Sequence, residues 1–273
     1  MNKLNSLTRR IAIYALAAAP IAALLIPALA ETFSTVETTG PEGAHFKGTL
    51  NTGATAPATM GANVPRLFWF PKKAALRAGV TTGSQWDELN IGQYSLAVGS
   101  NVLATQSGNV ALGTATSATG YSAAVAMGTM TVASGNSSFA AGSGSQATGG
   151  TSVAMGHTCY ARGFASTAIG SYSDAPGLYA TAIGASVNAT PCNSFVVGRY
   201  NAIEGTAGTW VNSEPLFVVG NGAPLTYTQP EVRKNAFVVS KNGDAGVQGV
   251  LRVWPAGDIS MGDFQTGTKP PAK

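Results

Sequence analysis

A single spacing constrains this chain more than any other feature. Units of the form apolar–Ala–apolar–Gly close at Gly99, Gly113, Gly128, Gly142, Gly156, Gly170, Gly184 and Gly198, at intervals of 14 residues with one step of 15. A second series runs seven residues upstream, at Gly92, Gly120, Gly135, Gly149, Gly163 and Gly177, with Gln106 and Pro191 standing in. The longer step comes from an extra residue in "YSAAVAMG", Tyr121 to Gly128. Each half-repeat is a short alternating stretch ended by a turn, which is the pattern of a strand and not of a helix. Seven residues leave no room for a crossover helix between parallel strands. The chain is therefore expected to coil, two strands to each 14-residue turn, with every strand paired to its equivalent one turn away. With strands about 4.8 Å apart, eight turns make a rod of roughly 38 Å. The expected class is all-β, a parallel β-solenoid over residues 92–198.

The columns of this pattern assign faces. Before the closing glycines stand Val98, Leu112, Met127, Ala141, Met155, Ile169, Ile183 and Val197. One residue further back runs a column of Ala, from Ala97 to Ala182, that ends in Val196. Five residues after the glycines an unbroken Ala column runs from Ala104 to Ala189. Adjacent strand residues point to opposite faces, so both faces of the strand are largely apolar. One face fills the inside of the coil and the other needs a partner. A coil this thin cannot build a sufficient core alone, and a column of Ala lets neighbouring chains approach closely. The pattern does not fix how many chains gather.

What the repeats lack narrows the function. Charged residues are 10% of the 273, well under the usual quarter. Between Gly92 and Gly198 the only ones are Arg162 and Asp174, with His157 beside them. General acid–base catalysis needs titratable groups within hydrogen-bond reach of each other. His157 instead falls in a turn column with Ser100, Thr114, Thr129, Ser143, Ser171 and Ala185. His45 has no second His near it and no metal-ligand spacing. No catalytic, cofactor-binding or metal-binding set is expected. "GSGSQA", Gly142 to Ala147, matches a dinucleotide fingerprint, but that motif must open a helix, and here it is one turn of a strand repeat.

Cys159 aligns with Val102, Thr116, Thr131, Ser145, Ser173 and Val187 and reads as a small inward packing residue. Cys192 follows 33 residues later, on the order of 11 Å along the rod. A disulfide needs Cα atoms within roughly 7 Å, so no bond between the two is expected. The outward columns vary most: Leu103, Ser117, Val132, Gln146, Tyr160, Asp174 and Asn188. Tyr160, Phe164, Tyr172 and Tyr179 crowd the fifth and sixth repeats. They form the candidate ligand-facing surface, because exposed aromatics mark binding patches; the plainer reading is that these rings cover neighbouring turns.

The flanks have a different grammar. Residues 1–30 carry Lys3, Arg9 and Arg10, an apolar run, and Ala28-Leu29-Ala30, which together read as a secretory signal peptide. Its removal takes three of the 16 basic residues, leaving 13 against 12 acidic. No basic stripe remains for a nucleic-acid partner, and the mature chain is expected outside the cell, not inserted in a membrane. Residues 31–65 read as a flexible arm rich in Thr, Gly, Ala and Pro. Residues 66–91 read as an N-terminal cap with a short helix from Pro71 to Ala78. Residues 199–273 read as a C-terminal β-rich cap and tail, with strands in "LFVVGNG", "NAFVVS" and "GVLRV" and a turn at "KNGD". Trp69, Trp86, Trp210 and Trp254 all lie in these flanks, which are expected to cover the open strand edges of the coil.

"SVAMGHTCYARG" (Ser152 to Gly163) and "STAIGSYSDAPG" (Ser166 to Gly177) resemble the head repeat of trimeric autotransporter adhesins, the YadA-like head. Its signature is close to S-x-A-x-G-x-x-S-x-A-x-G, and the resemblance covers Gly92 to Gly198. It implies a homotrimeric, left-handed parallel β-roll displayed outside the cell, with no cofactor. No neck motif, heptad stalk or C-terminal barrel strands accompany the repeats in this sequence. The tail resembles segments that follow such repeats in secreted bacterial and phage-fibre-like proteins. The expected function is a non-enzymatic, exported adhesin-like head that attaches by multivalent contact to a host or environmental matrix protein or glycan. A purely structural surface-layer or fibre component is the alternative. Phage-fibre-like receptor binding ranks lower. So does ice binding, because the outward columns lack a regular Thr-x-Thr ladder. A polysaccharide-cleaving solenoid needs a carboxylate cluster, and Asp174 stands alone.

Overall fold

The computed structural model describes residues 36–38, 44–46, 65–226 and 229–248. The leader, most of the arm and "GVLRV" lie outside the described residues; within the arm, Val36–Thr38 pairs antiparallel with Ala44–Phe46.

The repeats coil with two strands per turn. Long five-residue strands, from Leu96–Ser100 to Phe195–Arg199, belong to a sheet of 13 strands. Short two-residue strands, from Leu103–Ala104 to Asp174–Ala175, stack in a second sheet of six. Register follows the sequence columns: Gly142 lies opposite Gly128 and Gly156, and Ala140 opposite Ala126 and Ala154. The 15-residue step is absorbed at a corner. Gly113 still faces Gly128 and Ala118 still faces Ala133 across it, while Tyr121 is pushed out, 80% exposed.

Four inward columns fill the coil, and they settle which face of the long strand is inside. The two Ala columns are completely buried, with the serines Ser138, Ser152 and Ser166 and the column containing Thr116, Thr131, Ser145 and Cys159 between them. Some of the buried hydroxyls are bonded locally, Ser138 Oγ donating to Gly135 O and Ser152 Oγ to Gly149 O, whereas Thr116 Oγ1, Thr131 Oγ1 and Ser166 Oγ have no hydrogen-bond partner. Asn109 takes the serine place before the longer step, where its amide donates to Ala118 O and Gly120 O and its oxygen accepts from Ala124 N. An interior this narrow lets a rung touch both of its neighbours and little else. Stability then accrues rung by rung, as in other solenoids.

The two glycine series have different causes. Gly156 has φ +123°, and a Cβ there would also lie 2.0 Å from Gly170 O. Gly149 has ordinary backbone angles, yet its Cβ would lie 1.9 Å from Gly163 O. Left-handed backbone also appears at two corners of each turn, on side chains that rarely adopt it. Met130, Thr158 and Tyr172 occupy one corner and Ser137, Thr151 and Tyr179 the other, with φ from 52° to 58°. Such a conformation costs about 1–2 kcal/mol per residue. It is held because each N–H is spent one rung back, as in Thr158 N to Ser143 O and Tyr172 N to His157 O.

The large sheet continues beyond the repeats at both ends. Ala75–Val80 pairs parallel with Leu96–Ser100, setting Gly79 opposite Gly99, and Pro215–Asn221 pairs with Phe195–Arg199, setting Gly220 opposite Gly198. Antiparallel strands finish each edge: Arg66–Phe70 at one, Asn235–Ser240 and Ala245–Val247 at the other. The helix expected from Pro71 to Ala78 is not formed. Pro71–Lys73 makes a single 3-10 turn that Ala74 ends in left-handed backbone, and the next residues enter the sheet. Two parallel or antiparallel neighbours satisfy that backbone better than a helix of two turns, which is marginal in isolation.

Here the interior changes character. Arg77 takes the place of Ala in the inner column and is fully buried. Its guanidinium donates to Leu76 O, Ser95 O, Ser95 Oγ and Ala104 O. Removal from water pushes its pKa down to about 10. Trp86, also fully buried, donates from Nε1 to Val102 O. At the far end Val196 and Val218 replace Ala, and Asn201 is bonded to both backbone groups of Asn188.

Candidate functional site

With Ala inside, the long strands turn their large apolar residues outward. One column holds Val98, Met127, Met155 and Ile183, which are 37–40% exposed, with Leu112, Ile169 and Val197 half-buried between them. The neighbouring column holds Leu96, Val110, Val125, Phe139 and Val153, then Thr167 and Thr181, and ends in Phe195, which stacks on Phe217 at 5.7 Å. No charged side chain interrupts either column along the repeats. The column from Val98 to Val197 is apolar throughout, and exposed apolar patches mark interaction sites. Chemically it can do nothing but exclude water.

The short-strand face is different, since both charged residues of the repeats lie there on consecutive turns. Arg162 Nη1 donates to Asp174 Oδ2 at 2.6 Å, and its guanidinium carbon lies 4.7 Å from the centre of the Tyr160 ring. Asn188 Nδ2 reaches the same carboxylate oxygen at 3.4 Å. Burial pushes the Asp174 carboxyl above the usual carboxylate range, and the opposing pull of Arg162 does not overcome it. The other oxygen, Oδ1, is buried with no hydrogen-bond partner.

The four aromatics of the candidate surface divide among three places. Tyr160 lies on the short-strand face under Arg162. Tyr172 sits at the corner that follows the long strand, edge-on to His157 at 5.0 Å. Phe164 and Tyr179 meet at the other corner, edge-on at 5.7 Å. The structure therefore brings two of the four together and gives the others separate partners. The signal was present in the repeat: counted from the closing glycine, Tyr172 stands two residues on, Tyr160 four and Phe164 eight. Those positions face different sides of a two-stranded coil.

Cys159 is buried in the inner column, Cys192 is buried near a corner, and both are free thiols. Burial raises the Cys159 pKa, so the reactive thiolate is disfavoured there. Among the described residues no three His, Cys, Asp or Glu side chains gather in a way that could hold a metal ion. No described helix is long and apolar enough to cross a membrane.

Comparison with curated proteins gives no match. A family model does match: the YadA head domain repeat, over residues 122–145, 133–158 and 161–186. These stretches run from the turn that contains the extra residue to the turn that carries Tyr172 and Tyr179, so each strand type of the coil falls inside them. Residues 122–158 and 161–186 are thus similar to the YadA head domain repeat and are built as a parallel β-solenoid.

Proposed function

We propose that this chain is an exported, non-enzymatic adhesin-like head that works as a homotrimer and attaches through several copies of one weak contact. The observation that carries the reading is the outward apolar strip of the long strands, from Val98 to Val197, on a coil whose interior is too thin to need it. Its occupant is a second and third copy of the same strip, because equivalent columns on identical chains match in length and rise. The short-strand face and the corners with Tyr160, Phe164, Tyr172 and Tyr179 then stay outside, available to a matrix protein or glycan. Three such faces on one rod raise avidity without strengthening any single contact. The division of labour follows: residues 1–30 for export, 31–65 as an arm, 66–91 and 199–273 as end covers, and 92–198 as the displayed rod. No nucleic acid and no membrane insertion of the mature chain enter this function.

The test is light scattering on residues 31–273. A mass of three chains is expected, and a monomer at micromolar concentration would overturn the reading. Met155→Glu together with Ile183→Glu places charge in the strip and should release monomers that retain their β-sheet circular dichroism. Binding to immobilised matrix protein or glycan should fall about a hundredfold or more in that variant if avidity is the mechanism.

A further inference from the structure

Charge is rationed along the repeats and returns in the flanks at both ends. From Gly92 to Gly156 the repeats carry no charged residue at all. Immediately before them, the stretch 66–91 carries Arg66, Lys72, Lys73 and Arg77 and, as acids, Asp87 and Glu88. Arg77 has no carboxylate among its hydrogen-bond partners. Next to this group, between the Pro71–Lys73 turn and the first two rungs, lies a cleft of about 390 Å³ lined by Lys72, Lys73, Gln93, Thr105, Gln106 and Ser107.

The cleft is equipped to donate hydrogen bonds to an anion. Lys73 Nζ is fixed by Glu88 O at 2.6 Å and Ile91 O at 2.7 Å, which leaves one of its three N–H groups. Lys72 Nζ donates to Glu88 Oε1 at 2.7 Å and keeps two. Burial pushes the Lys73 pKa down; Glu88 opposes this, while Lys72 and Arg77 add to it as like charges. An added negative group would relieve that repulsion.

Gln106 supplies the second observation. It occupies the place where the upstream series has glycine at Gly92, Gly120, Gly135, Gly149, Gly163 and Gly177. Stacking asks for no side chain there, and the carboxamide that appears instead lines the cleft beside Gln93 and the hydroxyls of Thr105 and Ser107. Ammonium groups beside neutral amide and hydroxyl donors suit an oxyanion, and Ile91 and Gly92 complete the lining. The volume falls in the lower range of small-molecule sites, enough for one acidic sugar residue or an inorganic anion.

We propose that the cleft at the N-terminal end of the rod binds an oxyanion through Lys72, Lys73 and Gln106, either as the acid group of an acidic glycan or as free sulfate or phosphate. None of its lining residues belongs to the outward columns of the long strands, so the site remains open in the trimer. The glycan source rests on the adhesin-like reading, whereas the site itself does not.

Residues 31–273 are titrated by calorimetry with sodium sulfate, sodium phosphate, glucuronic acid and a sulfated disaccharide, with chloride holding ionic strength constant. Saturable binding at one site per chain is expected. Lys72→Gln should weaken it about tenfold, as expected for loss of a charge-assisted hydrogen bond. Glu88→Gln should tighten it severalfold, an increase that a purely structural role of the cluster would not produce. Gln106→Gly restores the repeat glycine, so the fold should persist while affinity drops. Saccharide binding assigns the site to a glycan, and response to sulfate or phosphate alone assigns it to free anions. The absence of saturation, or affinities unchanged in both Lys72→Gln and Glu88→Gln, would overturn the site. A monomeric mass with these titrations intact would instead break the trimer reading and leave the site standing.

Discussion

From Ala111 to Ala182 the inner columns of the coil hold only Ala, Ser, Thr and Cys159, whereas the ends hold Trp86, Arg77, Val196, Val218 and Asn201. In the middle, every rung is covered by the next, so the interior needs only to let two narrow sheets approach. At an end no further rung arrives, and the opening must be closed by bulk or by groups that bond exposed carbonyls. Trp86 supplies bulk and Arg77 supplies donors. The same backbone ladder thus demands small side chains where it repeats and large or polar ones where it stops.

The sharpest way to break this comparison is at the glycines. Gly156→Ala sets a Cβ against Gly170 O in left-handed backbone and should cost about 4 kcal/mol or more in urea unfolding. Gly149→Ala tests stacking without any unusual φ; wild-type stability there would refute the close-approach argument. Gly208→Ala is the control, since an added Cβ meets nothing within 4 Å. Next in size is Trp86→Ala, at about 3–5 kcal/mol. Hydrogen exchange should show protection lost first in the rung at Leu96–Ala104, and uniform loss along the rod would contradict an end-closing role. Smaller still, Ala154→Leu should overfill the middle by about 1–3 kcal/mol. Val218→Ala should destabilise from the opposite direction, by opening space at the end.

The smallest expected effect separates two carboxylates by pH. Hydrogen bonds from Thr206 and the nearby Lys241 hold Glu214 below its ordinary range. Its contribution to stability is therefore present above the unfolded pKa and lost as pH falls through the folded one. Asp174 is shifted upward by burial, so its ionised form costs stability at neutral pH, and that cost is relieved on acidification. Acid should loosen the C-terminal flank ahead of the rod. Fluorescence of Trp210, whose ring lies 4.9 Å from Lys241 Nζ, should report the loosening before far-ultraviolet circular dichroism does. Glu214→Gln should remove the lag, and coincident transitions in the wild type would argue against it.

The rod itself was legible in the sequence because its cause is periodic. Register between rungs and the inward place of Cys159 follow from counting 14 residues, whereas His157, expected in a turn, is the last residue of the strand Val153–His157 and pairs with Ser143 and Ser171. The outermost rungs were not legible as rungs, because loops lengthen their spacing: Gly79 precedes Gly99 by 20 residues and Gly220 follows Gly198 by 22. "LRAG" and "FVVG" carried the ending without the interval. The left-handed corners were hidden for another reason. Local preference asks for Gly or Asn, while Met130, Tyr172 and Tyr179 are held there by hydrogen bonds to the previous turn, which no local pattern reveals. Grouping Tyr160, Phe164, Tyr172 and Tyr179 followed closeness along the chain, and the coil sorts them by phase instead.

Tyr121 shows where such a molecule accepts new material. One surplus residue enters at a corner, the strands on both sides keep their partners, and the newcomer is thrown into solvent. A peptide spliced between Gly120 and Ser122 would be carried outward in the same way. Epitopes placed at equivalent corners of successive turns would sit on a scale graduated in steps of about 4.8 Å. The chain is thereby a measuring rod onto which ligands can be mounted at chosen intervals.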